Sequence, residues 1–454
     1  MMKRVSMRPL KMVMAASVAL LAAACGGSAT VEVKTPQGAA GARPAVTQAA
    51  TDKFNAALDA FNANDKASSW SDASCADVAR MFEGAAAEQP SGKLAAATYD
   101  AGLAWQRCGN DQQARAHFEK ALSDDPKFHF AKAQIALYDY KANGNEDQAI
   151  SALQQAVLDA QFQDVPALVN LALFQMQRDS NTAGQNCKDD LECAKQNLQR
   201  ALAIDDAYMP AFNQLALYYF QLAKKRATVG GGKHERGRSG IATNSAMAKR
   251  ADVQQLELAA LVCSQALRKN ANYAPIHNTA GLIQNELGQV NGAVSEFATA
   301  AKLDPKFFEA QMNYAAVNLS FRGFAQAQDA YQKALAMRPN DYDAHLGLAL
   351  ALRGQINDNN YDSQVAAVQA ELDAAKKVDG NRPDAYFNEG ILTQEYKAKA
   401  GGAKPQTIAA LQQAKTIFQT FVDKAGGKAE YAGAVSKANE RMRDIDDTLK
   451  FLTS

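Results

Sequence analysis

Between Ala274 and Pro305 apolar and polar positions alternate with a helical period, first along one stretch and then along a second. Counting Ala274 as place 1, Gly281 is place 8, Gly288 place 15, Ala293 place 20, Phe297 place 24, Ala300 place 27 and Pro305 place 32. This spacing predicts two antiparallel helices of equal length. Small residues at places 8, 20 and 27 let the backbones approach, and the aromatic at 24 fills the space between them. The glycine at 15 makes the turn. The proline at 32 stops the second helix, because it lacks an N–H and clashes with the preceding turn.

The same frame recurs along most of the chain. From Ala95 it returns as Gly102, Gly109, Ala114, Phe118, Ala121 and Pro126, and from Phe308 as Ala315, Ala327, Tyr331, Ala334 and Pro339. Weaker copies fill the spaces between. Phe54, Leu58 and Phe61 lead to Val78, Phe82, Ala85 and Pro90; Ile135 and Ala136 lead to Ala149, Leu153 and Ala156. Leu168, Leu171 and Ala172 precede an enlarged turn and then Ala194, Leu198 and Ala201. Phe212, Leu215 and Ala216 are followed by a polar insertion over about Lys224–Lys249, after which Ala259, Cys263 and Ala266 resume. Two further copies run through Leu348, Val368 and Leu372, and through Tyr386, Gly390 and Phe421. A final stretch, about Lys428–Leu452, holds Val435, Met442, Ile445 and Leu449 near helical spacing and predicts a capping helix.

In period and residue choice these units resemble the tetratricopeptide repeat (TPR), a helix–turn–helix unit of about 34 residues. The resemblance implies an all-α, right-handed solenoid of about nine helix pairs over residues 51–425, capped by a helix over 426–454. It leaves no room for a separate catalytic domain. In TPR proteins the first helices line a concave groove, mainly through places 2, 5, 9, 12 and 13. Carried onto this chain, those places hold Tyr99, Arg107, Tyr140, Asn213, Phe220, Asn278, Leu282, Arg353 and Phe387, together with Leu173, Leu217 and Leu350. Asn170, Asn313 and Asn388 occupy place 6, where side-chain amides can hydrogen-bond an extended peptide's backbone. Asparagine is also simply the common residue there. The lysine and asparagine of the chaperone-type carboxylate clamp do not occur together, so C-terminal EEVD-like peptides are not expected ligands.

Composition adds an address. Lys3, Arg4, Arg8 and Lys11 precede an apolar core from Met12 to Leu21 that is too short to span a bilayer. Leu21-Ala22-Ala23-Ala24-Cys25-Gly26-Gly27 resembles a bacterial lipoprotein cleavage box, which implies a signal peptide over 1–24 and acylation of Cys25. An ordinary secretory leader with an incidental cysteine is the competing reading. Leu21 stands four residues before the cysteine, and Ala22 holds the usual leucine place. Gly26, rather than aspartate, follows the cysteine, which resembles an outer-membrane sorting signal. Residues 25–50 are small, polar and poor in apolar side chains, and predict a flexible tether. The formal net charge of +1 becomes −3 once the four leader cations are removed, so no global preference for nucleic acid or acidic surfaces follows. The composition is 47% hydrophobic, much of it alanine, which favours helix.

Candidate chemistry is sparse. Cys187 and Cys193, in a loop of an exported protein, predict a local disulfide. Cys75 and Cys108 fall near the interhelix turns of neighbouring repeats and are candidates for a second. Cys263 takes the buried place 24 and is expected as a core thiol. The histidines His117, His129, His234, His277 and His345 form no metal-ligand spacing or triad, and Gly230-Gly231-Gly232-Lys233 lacks the strand and the Ser or Thr of a phosphate-binding loop. No metal or cofactor is expected. In the insertion, Lys224, Lys225, Arg226, Lys233, Arg236 and Arg238 face one acid, Glu235; this reads either as a solvated loop or as a docking site for an acidic partner.

These features predict a non-enzymatic scaffold, lipid-anchored at the periplasmic face of the outer membrane, that binds protein partners and assembles an envelope machine. By size and architecture the chain resembles the TPR lipoproteins of the myxobacterial adventurous gliding-motility complex. The alternatives are an adaptor for peptidoglycan synthases or hydrolases, an assembly factor for outer-membrane, secretin or pilus proteins, and a transferase with a concealed site.

Overall fold

The computed structural model describes residues 46–67, 69–181, 187–229, 244–399 and 403–453. They form α-helices, with no strand among the described residues. In chain order the helices pair as α1 (Gln48–Ala67) with α2 (Asp72–Ala87), α3 (Ala95–Arg107) with α4 (Asp111–Asp124), α5 (His129–Asn143) with α6 (Glu146–Asp159), α7 (Val165–Arg178) with α8 (Asp190–Ile204), and α9 (Met209–Val229) with α10 (Asn244–Lys269). The series continues with α11 (Ala274–Glu286) and α12 (Val290–Leu303), α13 (Phe308–Ser320) and α14 (Phe324–Met337), α15 (Tyr342–Arg353) and α16 (Tyr361–Val378), and α17 (Asp384–Glu395) and α18 (Lys404–Ala425), closed by α19 (Ala432–Thr453). This is the helix-pair array of a TPR solenoid. Packing divides it into two compact units, one ending at Asn270 and one beginning at Ala271.

Local chemistry sets the helix ends. Asn110, Asn145, Asp164, Asp189 and Asp341 each accept a hydrogen bond from a first-turn N–H, so several of the helices start on a short polar cap. Gly288 turns between α11 and α12 at φ +74°, a backbone conformation that costs glycine nothing.

Several pairs close on one buried aromatic side chain (Phe82, Phe118, Phe297, Tyr331 or Phe418), and the others close on Leu153, Leu198, Cys263 or Leu372. Phe297 is fully buried between Ala293 and Ala300, and a Cβ on Gly281 would lie 2.6 Å from its ring. Gly102 stands in the same relation to Phe118 at 2.7 Å, and Gly390 to Phe418 at 2.6 Å. At these pairs place 8 must be bare for the ring at place 24 to fit, and Ala315 before Tyr331 shows the next smallest side chain in the same role. Burying such a ring contributes about 3 kcal/mol by area alone. The capping helix α19 covers the last pair with Ala438, Met442 and Ile445.

The polar insertion is more helical than its composition suggests. Helix α9 runs through Lys224 and Lys225 to Val229, and α10 begins at Asn244. Alanine, lysine and arginine are good helix formers, and they continue both helices into the insertion.

Candidate partner-binding face

Within each unit the first helices of neighbouring pairs lie against one another: α7 with α9, and α11, α13, α15 and α17 in succession. Side chains bridge them. Gln177 donates to the Tyr140 hydroxyl at 2.6 Å and Gln221 to the Met176 carbonyl at 2.9 Å. Asn313 donates to Asn278 at 2.9 Å, and Arg353 to Asn388 at 3.1 Å.

This close approach turns many of the expected groove residues into wall. Tyr99 is buried among the rings of Phe118, Phe128 and Phe130. Asn170, Asn213, Phe220, Leu282 and Asn278 are buried as well, and Asn313 is wholly so. Arg107 reaches back to Asp65 at 2.9 Å and lies 5.3 Å from the centre of the Phe61 ring. Tyr140 packs edge-on against Phe174. Surface remains on Leu173, Gln177 and Leu217 in the N-terminal unit, and on Leu350, Arg353, Phe387 and Asn388 in the C-terminal unit.

Arg353 differs from its neighbours. Burial disfavours its charge, and the nearby Arg441 guanidinium pushes in the same direction. The carboxylate whose field supports it, Glu395, is already held by Arg441 at 2.7 Å, and Arg441 also donates to Gln394 at 2.8 Å. Tyr396 stands beside this group, its phenol pushed up by burial and pulled back by Arg353. Nothing in the sequence alone pointed to Glu395, Tyr396 or Arg441, because Arg441 arrives from the capping helix.

Asp100 was also missed. It lies on α3 at place 6, fully buried, and neither carboxylate oxygen finds a partner among the described residues. Burial raises its pKa well above the usual range. The one available signal was its position inside the apolar run Ala95-Ala96-Ala97-Thr98-Tyr99-Asp100-Ala101.

The cysteines Cys75 and Cys108 are bonded, with Cα atoms 6.4 Å apart, and tie α2 to the end of α3. Cys187 and Cys193 are bonded across the turn before α8, and Cys263 is a buried thiol. Lys224 lies 5.0 Å from the centre of the Phe220 ring and Lys225 pairs with Asp179 at 2.7 Å; Arg226 belongs to α9. Cys25, Lys233, Arg236 and Arg238 lie outside the described residues. A cavity of about 290 Å³ beside α8 is lined by Lys188, Lys195 and Lys225, but Asp189 and Glu192 line it too, so it offers little net charge. Among the described residues no cluster of ligating side chains could hold a metal ion, and no helix is long and apolar enough to cross a membrane.

No family model matches the chain, and no curated protein sequence matches it. Solved structures do resemble it. A monomeric IFIT1 mutant with m7Gppp-AAAA aligns over 87% of this chain and 80% of its own, at 16% identity and a TM-score of 0.51. A TPR protein from Parabacteroides merdae covers 72% of this chain and 100% of its own, at 14% identity and a TM-score of 0.36. The thermophilic TPR protein TTC0263 of Thermus thermophilus covers 50% and 99%, at 24% identity and a TM-score of 0.38. At these identities the likeness speaks to fold alone.

Proposed function

We propose that this chain is a non-enzymatic scaffold that binds protein partners along the face formed by its first helices. The scaffold is tethered through an acylated Cys25 to the periplasmic face of the outer membrane, where it positions an envelope machine such as a gliding-motility complex. The observation that carries the binding role is the alignment of first helices within each unit, which leaves a row of partly exposed apolar and amide side chains: Leu173, Gln177 and Leu217 in one, Leu350, Phe387 and Asn388 in the other. A regular array of this kind suits an extended segment better than a small substrate. The two disulfides support an oxidising compartment outside the cytoplasm. The leader and the small-residue box around Cys25 support the anchor.

The test is cross-linking in intact cells followed by mass spectrometry, with Cys25→Ala run in parallel. The proposal expects a small set of envelope proteins joined to the wild-type chain, and loss of Cys25→Ala from the membrane fraction. Unchanged fractionation with no mass difference from lipid would remove the anchor. Absence of any recurrent protein adduct would remove the scaffold role.

A further inference from the structure

We propose that Arg353 receives the side-chain carboxylate of an Asp or Glu in an extended partner segment lying across the first helices of the C-terminal unit. The inference rests on the reading of that face as partner-binding and gives the partner its chemistry.

Four arginines of this unit are partly buried: Arg338, Arg353, Arg382 and Arg441. Three have a carboxylate. Arg338 pairs with Glu309 at 2.9 Å, Arg382 with Asp343 at 2.6 Å and Arg441 with Glu395 at 2.7 Å. Arg353 has only the amide oxygen of Asn388, and among the described residues no carboxylate lies within ion-pair distance of it. A guanidinium cannot shed its proton to escape burial, so a charge of this kind is ordinarily paired. Among the described residues a single N–H of five is used, and the rest of a planar fork shaped for carboxylate is left over.

The charge count selects the ligand. Arg441 and Glu395 cancel, which leaves one positive charge, matched by a carboxylate monoanion. A phosphate dianion would overfill the site and face Glu395. The surroundings select its source. Helix α15, which carries Arg353, is flanked by α13 on one side and α17 on the other, so a bound segment continues past Arg353 in both directions. Leu350 and Phe387 offer apolar contact beside it. An internal acidic side chain fits this arrangement, whereas a chain terminus would end at it.

The full chain is panned against a phage library of random segments of about a dozen residues fused at their C-termini, and selected sequences are remade as amidated soluble peptides. Enrichment of Asp or Glu at one position is expected, and Glu→Gln there should weaken binding to the wild type about tenfold, or ~1.4 kcal/mol. Against Arg353→Met the same peptide change should matter less than about twofold, and Arg353→Lys should keep part of the preference. Arg353→Met should unfold no earlier than the wild type, since it removes an unpaired charge; a residue of purely structural value would show the opposite. If Arg353→Met fails to fold, the peptide series on the wild-type chain decides by itself. Selected segments without acidic enrichment, Gln tolerated as well as Glu, or binding that needs a free C-terminus would overturn the proposal and leave the scaffold standing. Selection of no segments at all would overturn both.

Discussion

Among the described residues each unit keeps, on a first helix, one buried or half-buried charged side chain that no opposite charge pairs with, and the two signs differ. In the N-terminal unit it is Asp100, sealed from solvent. In the C-terminal unit it is Arg353, half-buried on the face where partners would lie. A carboxyl group can relieve burial by holding its proton, and the raised pKa of Asp100 expresses this. A guanidinium has no such escape. The same omission, a missing counter-ion, therefore has two meanings. Where the group is sealed in and can become neutral it is a local weakness; where it is open and permanently charged it is a binding group.

The units also differ in how they are held. Both cysteine pairs and the buried thiol lie before Asn270, and the sequence has no cysteine after it. The C-terminal unit relies on helix packing, hydrogen bonds and ion pairs, with no disulfide. What they share is the glycine-aromatic lock, and it gives the largest expected effect. Phe118→Ala and Phe297→Ala should each cost about 3–5 kcal/mol. In hydrogen exchange the loss should stay local, near residues 95–124 for the first and 274–303 for the second. A loss spread evenly over both units would contradict their separation.

Reduction should part them. The Cys75–Cys108 bond closes a sequence separation of 33 residues. Breaking it should cost roughly 3–4 kcal/mol by loop entropy. Thiol reductant should therefore lower the stability of the N-terminal unit and leave the C-terminal unit unmoved. Equal loss in both would break the comparison.

Asp100→Asn probes the buried carboxyl. Because the folded pKa is raised, the folded chain holds a proton that the unfolded chain has released. Stability should fall as pH rises above about 4 and go on falling until the pH passes the raised folded value. The variant should lose this slope and be more stable at neutral pH by about 1–3 kcal/mol, as measured by denaturant melts. A variant less stable than the wild type at neutral pH would show that the carboxyl is not a weakness.

The smallest effect concerns His277. Its ring meets Glu296 at 2.7 Å and the Ala271 carbonyl at 2.9 Å, both acceptors, so the doubly protonated form satisfies both. Glu296 raises its pKa. The contribution, about 1 kcal/mol, should be complete below pH ~6.5 and fade as pH rises through the raised folded value. His277→Gln should remove that pH dependence from the C-terminal unit only. A melt of the variant that keeps the wild-type pH profile would dismiss it. His117 and His345 likewise face a carbonyl and a carboxylate.

The lock was legible in the sequence because it depends on size at fixed spacing: Gly281 with Phe297, and Gly102 with Phe118, could only be meant for each other. Places 5 and 6 were not. Tyr99, Asn213 and Asn313 occupy groove places in number, but how much of each remains exposed depends on how closely the neighbouring first helix packs. That distance is set by side chains about 34 residues away. Asp100 and Arg353 were harder still. In a sequence they are an ordinary acid and an ordinary base, and only the contents of the surrounding shell reveal that no partner is there. Glu395 stands near enough in the structure to support the Arg353 charge, but Arg441, arriving from α19, is the one paired with it.

The claim that the first helices carry the partner is best tested by a photo-reactive residue placed in turn at Leu173, Leu217, Leu350 and Phe387, and at Leu158, Lys333 and Val378 on second helices, in living cells. Discrete adducts from the first group and none from the second are expected. Adducts that arise mainly from Leu158, Lys333 or Val378 would place the partner on the opposite surface and contradict the account.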